Sequence, residues 1–343
     1  MAREVGGLRF YVYETALKGF AVANLPPAAV ETLRRHPRVL FVEEDALVPP
    51  LDIIQNVSAP ADTGLYSLDR NDQRSRSLDG SYTYFADGTG VHIYIVDSGV
   101  RGGYQEFTGR IGNGAAFIKW SWHPNPYNDQ LGHGTSVAGA SAGSTVGVAK
   151  GATIHSVRTN DGNINAYASD IIAGLDWVAG NRILPAVANL SYEATSQAIA
   201  TAVSGVINAG VAFTAAAGNS AVDACNAVTQ TTGVITVGAT TVSDTRASYS
   251  NCGSCLDVFA PGGSVGGVGG LKLASNSSDA SYTHSWGTSF AAPYSELSGS
   301  LRHTAGSADF ELQAALTDTN TVAWWSNPYS VMVSPEAPEC LDQ

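Results

Sequence analysis

Three short strings in this sequence carry the residue types of an activated serine. Val96-Asp97-Ser98-Gly99 supplies a carboxylate, Gly132-His133-Gly134-Thr135 an imidazole, and Gly287-Thr288-Ser289-Phe290-Ala291-Ala292-Pro293 a hydroxyl. An imidazole that is oriented by a carboxylate can remove the proton of a serine hydroxyl, which then attacks a carbonyl carbon. The strings therefore predict acyl transfer, with the aspartate as orienting acid, the histidine as base and the serine as nucleophile.

The order acid, base, nucleophile is one of several in which this constellation occurs along unrelated chains. Alone, the first string could be a strand that ends in a turn, and the second could be a loop. The third string is more specific, because Ser289 stands where a helix N-cap is expected and Pro293 is tolerated in a first helical turn. The joint occurrence favours catalysis by Asp97, His133 and Ser289.

Composition and charge exclude several classes of function. The 343 residues are 44% hydrophobic and 14% charged, which is typical of one to three globular domains. The net charge is −12, and all of the excess lies in residues 52–343, which carry 12 basic and 24 acidic side chains. A nucleic-acid partner is therefore not expected, since phosphate binding needs clustered positive charge. No apolar run approaches the roughly 20 residues that span a bilayer, so no membrane partner is expected.

The elements that must position these residues fall into two regions. Residues 1–51 predict a small α+β domain, with strands over 8–13, 19–22 and 39–42 and a helix over 26–35 that prolines open. Residues 52–65 contain proline, glycine and small polar residues, which is typical of a linker. The remaining boundaries are a main domain over 66–333 and a C-terminal tail over 334–343.

The main domain alternates apolar strands with helices. Near-continuous apolar runs over 91–96, 186–190, 211–215 and 234–237 predict strands, and residues 169–179 and 196–209 predict helices. This pattern indicates an α/β fold with a doubly wound, mostly parallel sheet. In such sheets the chemistry lies at the carboxyl ends of strands, and Asp97 and Asn219 both follow apolar runs.

Longer strings resemble the subtilases, the subtilisin-like serine proteases, in their proteinase K and aqualysin branch. The resemblance is carried by the strings at residues 68–74, 216–219 and 249–257. Residues 1–51 are similar to the family's inhibitory propeptide, notably at 16–21 and 42–45, although the first strand of that propeptide is missing. The resemblance implies a secreted serine endopeptidase, made as a zymogen that cleaves its own linker between about residues 51 and 60. The implied partners are polypeptide substrates and its own propeptide, and a monomer is expected.

The resemblance also implies roles for further residues. The Asn219 side-chain amide would hold the oxyanion together with the backbone N–H of Ser289, although Asn219 read alone could be a turn residue after Gly218. The pocket for the side chain before the scissile bond would have two walls and an adjoining edge strand. Ala216, Ala217 and Gly218 would form one wall, and Ser191 and Tyr192 would form the other. Asn163, Asn165 and Ala166 would form the edge strand.

A structural calcium ion is implied where relatives bind one, at Asp257 and the backbone carbonyls of Thr232 and Val234. Oxygen ligands of this kind suit a hard cation. The alternative is an aspartate that local backbone N–H groups satisfy. No cofactor is expected for the chemistry itself.

The cysteines indicate an oxidising compartment. The resemblance implies a disulfide between Cys225 and Cys255, while Gln130 and Gly162 occupy the positions of the branch's second bridge. Cys252 and Cys340 could pair or remain free. An extracellular location is expected, although the first residues lack the apolar stretch of a secretory leader.

Departures from the family pattern keep a second hypothesis open. Ser191-Tyr192-Glu193-Ala194 stands where relatives have Ser-Leu-Gly-Gly, and Ser136 stands where many have a second histidine. Bulkier residues in the pocket wall would narrow or reshape it. The alternative function is a weakly active or inactive binding module on the same fold. Nucleotide binding is disfavoured, since no Gly-x-Gly-x-x-Gly string opens a helix after the first strand.

Overall fold

The computed structural model describes residues 8–13, 19–23, 25–39, 42, 53–56, 65–72, 77–84, 86–118, 125–160, 162, 166–265 and 269–295. The chain divides into two compact units, Met1–Leu51 and Asp52–Gln343. Predictions for Asn163, Asn165 and Cys340, for most of the linker and for the C-terminal tail lie outside the described residues.

The smaller unit contains a strand pair and a helix. Strands β1 (Leu8–Tyr13) and β2 (Gly19–Ala23) pair antiparallel, as their β-forming residues predict. Helix α1 (Pro27–Arg34) has Pro26 as its N-cap residue and a proline in its first turn, which confirms the predicted helix. The predicted third strand is wrong at both of its described ends. Val39 instead donates its N–H to the carbonyl of His36 in a turn, at 2.9 Å.

The larger unit begins with a pair of short antiparallel strands. Strand β3 (Ile53–Asn56) pairs antiparallel with β4 (Ser81–Tyr84), and helix α2 (Tyr66–Asn71) lies between them in sequence. Strand β3 falls inside the predicted linker. The linker prediction rested on the small polar residues that follow, and it overlooked two adjacent isoleucines that favour a strand.

A seven-stranded sheet forms the centre of the larger unit, and every neighbouring pair in it is parallel. Its strands are β5 (His92–Asp97), β6 (Ala115–Ala116), β7 (Thr153–Arg158), β8 (Ala186–Leu190), β9 (Ala212–Ala216), β10 (Val234–Thr240) and β11 (Val258–Pro261). Their order across the sheet is β11-β10-β9-β8-β5-β7-β6. The doubly wound parallel sheet predicted from the sequence is confirmed.

Helices cover both faces of this sheet. They are α3 (His133–Ala142), α4 (Ala168–Asn181), α5 (Gln197–Asn208) and α6 (Thr288–Tyr294), with a further antiparallel pair, β12 (Leu271–Ala274) and β13 (Tyr282–Ser285). Strand β5 explains the two cores, because successive side chains of a strand point to opposite faces. Ile93 and Ile95 pack into one core with α3 and α6, whereas Tyr94 and Val96 pack into the other with α4 and α5.

The strand order reverses beside β5, which has β7 on one side and β8 on the other. Ligand sites of open α/β sheets lie at such a switch point, outside the carboxyl ends of the strands. Asp97 ends β5, and Ser191 follows the last residue of β8. The sheet thus brings the predicted acid and one predicted pocket wall to the same edge.

Cysteine positions agree with the resemblance where they are described. Cys225 and Cys255 form a disulfide, with Cα atoms 5.2 Å apart. Gln130 and Gly162 are also adjacent, because a Cβ atom on Gly162 would lie 3.1 Å from the Cβ of Gln130. Among the described residues, no helix has the length and apolar character that crossing a bilayer requires.

Candidate active site

The end of β5 and the start of α3 bring Asp97 and His133 together. The Nδ1 atom of His133 lies 2.8 Å from Oδ1 and 2.9 Å from Oδ2 of Asp97. Gly134 permits this approach, since a Cβ atom there would lie 2.1 Å from the carbonyl oxygen of Gly99 and 3.0 Å from the Cβ of Asp97. A glycine is therefore required after the histidine for steric reasons. The string Gly132-His133-Gly134-Thr135 begins a helix, although a loop was the simpler interpretation of the sequence.

Asp129 fixes the first turn of α3. Its buried carboxylate accepts hydrogen bonds from the backbone N–H of Gly132 (2.8 Å) and of Thr135 (2.9 Å). It also accepts one from the Ser98 hydroxyl (2.9 Å), which in turn accepts from the N–H of Gly134 (3.0 Å). This network ties the residue after Asp97 to the residues on both sides of His133. The sequence reasoning missed Asp129, although an acidic residue ahead of a helix start is a capping signal.

Burial and charge act in opposite directions on His133. Burial lowers the pKa of the imidazole, whereas the charge of Asp97, its hydrogen bond and the charge of Asp129 raise it. The net effect raises the pKa of His133 above its ordinary value. The side chain of His133 is 27% exposed and that of Asp97 is 1% exposed, so substrate could reach the imidazole but not the carboxylate. A solvent-accessible imidazole oriented by a buried carboxylate can act as a general base.

Ser289 lies in the first turn of α6. The helix begins at Thr288 with Gly287 as its N-cap residue, so the prediction that Ser289 is the N-cap is wrong by two positions. The Ser289 hydroxyl donates to the backbone oxygen of Ser191 at 3.4 Å, its single hydrogen bond within the described part of the chain. The ring of His133 lies 5.5 Å, between centroids, from the ring of Phe290. The base thus adjoins the helix that carries the hydroxyl, without a direct hydrogen bond to it.

A change of the Ser289 χ1 rotamer moves its hydroxyl between staggered positions. Catalytic hydrogen bonds are often long or poorly aligned in structures without substrate and tighten when substrate binds. The contact with Ser191 is long for an O–H···O bond, so little opposes such a rotation.

Pro293 and Ser191 are linked through the backbone of Ser289. Pro293 is the sixth of seven residues in α6 and not in its first turn as predicted, and it has no N–H to donate to the carbonyl of Ser289. The Ser191 hydroxyl donates to that carbonyl instead, at 2.8 Å. Behind it, Asn189 Nδ2 donates to Ser191 Oγ (2.8 Å) and Thr214 Oγ1 donates to Asn189 Oδ1 (3.0 Å). This buried chain of side chains holds the backbone of Ser289 from the neighbouring strands.

Asn219 presents its amide nitrogen beside the start of α6. Its Oδ1 atom accepts from the backbone N–H and from the hydroxyl of Thr288, both at 2.9 Å. With the oxygen engaged twice, the Nδ2 group is directed away from Thr288. Thr288 Oγ1 also accepts from the N–H of Gly218 at 3.1 Å, so one side chain orients both the amide and the adjoining pocket wall. The sequence reasoning did not identify this role of Thr288.

The predicted pocket walls lie near these groups. Ala216 ends β9, and Asn251 Nδ2 donates to the carbonyl of Ala217 at 2.9 Å. Gly218 has φ +104°, which favours glycine, and Glu193 of the opposite wall lies against it. The remaining residues with a predicted role in the pocket, Tyr192 and Ala166, pack against the core that contains α4 and α5. Burial raises the pKa of Tyr192, and the Asp97 charge adds to this.

The predicted calcium ligands lie where β10 and β11 begin. Asp257 precedes β11, and its Oδ2 accepts from the backbone N–H of Thr236 at 2.7 Å. This contact is expected from the alternative interpretation, in which local backbone N–H groups satisfy the aspartate. Among the described residues there is no group of three or more His, Cys, Asp or Glu side chains placed for a metal, so a calcium ion here would bind one carboxylate and backbone carbonyls. Val234 is the first residue of β10, and Thr232 lies two residues before it.

Comparison with known proteins gives two family matches. The profile described as "Subtilase family" matches residues 88–295, and "Peptidase inhibitor I9" matches residues 4–50. The first match contains Asp97, His133, Asn219 and Ser289.

Individual relatives agree with these matches. An "Extracellular serine proteinase" of Thermus sp. (strain Rt41A) is 46% identical over 304 residues, covering 88% of this chain and 68% of that protein. "Alkaline serine exoprotease A" of Vibrio alginolyticus is 41% identical over 308 residues, covering 88% of this chain and 53% of that protein. Among solved structures, a cold-adapted subtilisin-like serine proteinase has a TM-score of 0.62 and 42% identity, covering 68% of this chain and 82% of that chain.

Proposed function

This chain belongs to the subtilase family of serine endopeptidases, in its proteinase K and aqualysin branch, and from that membership we propose that it hydrolyses polypeptides through an acyl-enzyme on Ser289. The observation that supports this most directly is the 2.8 Å contact between His133 and Asp97, beside the helix that carries Ser289. Apart from the water that hydrolysis consumes, the proposed chemistry uses only side chains and backbone groups of this chain.

In the proposed reaction, the Ser289 hydroxyl leaves the Ser191 carbonyl and turns towards His133. The Nε2 atom of His133 takes its proton while Oγ attacks the peptide carbonyl carbon, and Asp97 stabilises the imidazolium. The oxyanion accepts hydrogen bonds from the Nδ2 group of Asn219 and from the backbone N–H of Ser289. His133 then gives its proton to the leaving amine. Water takes the place of the Ser289 hydroxyl in the second half of the reaction: it gives a proton to His133 and attacks the acyl-enzyme.

The propeptide-like region gives the proposal its second part. Residues 4–50 match an inhibitor family, which supports a role for residues 1–51 as an intramolecular inhibitor. We propose that the enzyme removes this region by cleaving between about residues 51 and 60, and that it acts as a secreted monomer. Secretion is supported by the Thermus relative, which is named extracellular.

A structural calcium ion at Asp257 is proposed as well. Asp257 and the carbonyls of Thr232 and Val234 would hold it, and the ion would lock the start of β10 to the start of β11. This role is structural, and no step of hydrolysis depends on it.

A fluorophosphonate probe tests the enzymatic proposal, because it labels only a serine that is activated as a nucleophile. Folded wild-type protein is expected to be labelled, and Ser289→Ala is expected to remain unlabelled. In the same preparations, wild type should lose its first 51 to 60 residues while Ser289→Ala stays full length. An unlabelled, folded and processed wild type would instead favour the inactive binding module, and equal processing of both proteins would assign the cleavage to another protease.

A further inference from the structure

A carboxylate stands at the mouth of the proposed pocket. Glu193 lies two residues after Ser191, whose carbonyl accepts the Ser289 hydroxyl. Its Oε1 atom is 3.1 Å from the position that a Cβ atom on Gly218 would occupy, and it accepts a hydrogen bond from the Ser220 hydroxyl at 3.5 Å. The carboxylate therefore spans from one predicted pocket wall to the other.

Substrate geometry places a side chain in this region. The attacked carbonyl carbon must lie at Ser289 Oγ, with its oxygen towards Asn219 Nδ2. The side chain before the scissile bond is attached to the carbon next to that carbonyl. The family resemblance places this side chain between the strand end that carries Ser191 and the segment that carries Gly218, and the carboxylate of Glu193 lies against Gly218.

The carboxylate of Glu193 has no cationic partner in the described part of the chain, where no Lys, Arg or His side chain forms an ion pair with it. Glu193 is exposed, and the Ser220 contact is long, so the carboxylate can exchange this partner for another. The unit that contains it has twice as many acidic as basic residues, 24 against 12, which adds a negative potential around the cleft.

We propose that Glu193 makes this enzyme select peptides with arginine or lysine immediately before the scissile bond. The inference rests on the proposed function and specifies its substrate class. A guanidinium or ammonium group entering between Ser191 and Gly218 would replace the Ser220 hydroxyl as the partner of the carboxylate. Arginine is favoured over lysine, because its planar fork can donate two parallel hydrogen bonds to one carboxylate.

A matched set of peptides tests the selection. Three fluorogenic substrates share one sequence and differ only before the scissile bond, which follows arginine, citrulline or phenylalanine. Citrulline has nearly the shape of arginine without its charge, so the arginine-to-citrulline ratio of kcat/KM isolates the ion pair. Wild type is expected to give a ratio of about ten or more, as charge-assisted hydrogen bonds are roughly twice as strong as neutral ones. The ratio should decrease as salt is added, since the pair lies at an exposed site.

Variants then assign the ratio to one residue. Glu193→Gln should bring the ratio to within about twofold of one, and Glu193→Asp should restore part of it. Asp176→Asn removes the same charge from an exposed position on α4 and should leave the ratio unchanged. Ser220→Ala should keep or increase the preference, because it removes the competing hydroxyl.

Other results would overturn the inference. A wild-type arginine-to-citrulline ratio near one, or a ratio that Glu193→Gln preserves, would show that the carboxylate does not select substrates by charge. A uniform increase for all three peptides in Glu193→Gln would show that Glu193 only obstructs the pocket. In both cases, fluorophosphonate labelling of Ser289 would leave the proposed function intact. Failure of the label together with no hydrolysis of any peptide would overturn the proposed function and this inference with it.

Discussion

Ser191 and Ser289 exchange two hydrogen bonds, although 98 residues separate them in sequence. The Ser191 hydroxyl donates to the Ser289 carbonyl at 2.8 Å, and the Ser289 hydroxyl donates to the Ser191 carbonyl at 3.4 Å. The first contact compensates for the N–H that Pro293 lacks, whereas the second is long and holds the Ser289 hydroxyl only weakly.

Ser191→Ala should therefore destabilise the protein by about 1–3 kcal/mol, because it leaves a buried carbonyl without a donor. Pro293→Ala supplies a backbone N–H at the right helical position, so it should recover part of that loss in the Ser191→Ala protein and little in wild type. Denaturant unfolding in a Ser289→Ala background measures both effects without autolysis. Equal effects of Pro293→Ala in the two backgrounds would contradict the link.

Asn219→Ala should lower kcat by about 10²–10³ with little change in KM, since the amide acts on the oxyanion of the transition state. Asn219→Asp should be worse, because it keeps the acceptor for Thr288 but replaces the donor with an anionic oxygen. Thr288→Val should cost less than either change, as the backbone N–H of Thr288 still holds Asn219 Oδ1. Steady-state kinetics on one peptide rank the three variants, and an effect of Asn219→Ala on KM alone would refute the assignment.

The pH profile should report the raised pKa of His133. The base must be neutral, so kcat/KM should rise with pH through a pKa above the ordinary histidine value of about 6.5. Removing a negative charge near the imidazole lowers its pKa, so Asp129→Asn should shift this acidic limb to lower pH. Rate measurements from pH 5 to 9 test the shift, and an unchanged or higher limb would be inconsistent with it. Asp97→Asn should in addition lower kcat by about 10⁴.

Calcium removal should lower the Tm of wild type if the proposed site binds the ion, because a ligand that binds only the folded state stabilises it. Asp257→Asn keeps an acceptor for the N–H of Thr236 but loses the anionic charge. Its Tm should therefore be the same with and without a chelator. An unchanged wild-type Tm on chelation, or equal shifts in both proteins, would remove the metal from the proposal.

His155 should make the fold sensitive to acid. Its Nδ1 atom lies 2.8 Å from the carbonyl oxygen of Asn113, to which it donates, and its Nε2 atom lies 2.8 Å from Nδ1 of His92. Burial lowers the pKa of His155 to about 4. The unfolded chain takes up this proton at a higher pH than the folded chain does, so the free energy of unfolding should decrease as the pH falls from about 6.5 towards 4.

Unfolding measured at several pH values tests that window. His155→Gln can keep a donor and an acceptor without titrating, so its unfolding free energy should change less between pH 6.5 and 4. His284→Gln, at an exposed position, serves as the control and should follow wild type. A slope that is identical in all three proteins would exclude His155 as the cause.

Local patterns predicted the sheet well because each strand carries its own signal. The apolar run that ends at Asp97 indicated both a buried parallel strand and the position of the acid at its carboxyl end. Strand β3 was missed, since its two isoleucines stand beside residues with a linker composition. The start of α6 was misplaced, because Gly287 takes the N-cap position that the hydroxyl of Ser289 seemed to fit.

The supporting contacts of the candidate site were beyond local patterns. Asp129, Thr288 and Asn189 act through partners that the fold brings together from other elements. Sequence position shows that a helical Pro293 leaves the carbonyl of Ser289 without its donor, but a single sequence does not show which distant hydroxyl replaces that donor. The candidate catalytic residues were proposed from residue type and order, whereas the groups that orient them emerged from three-dimensional proximity.

Arg158 links the segment that contains Gln130 to the segment that contains Asn160. Its buried guanidinium donates to the carbonyl of Asn160 at 3.0 Å and to Gln130 Oε1 at 3.2 Å, where Gln130 adjoins Gly162. These segments beside the proposed substrate cleft are thus held by hydrogen bonds, which thermal motion can break and re-form. Heat and denaturant, rather than reducing agents, will govern how firmly this rim of the cleft keeps its shape.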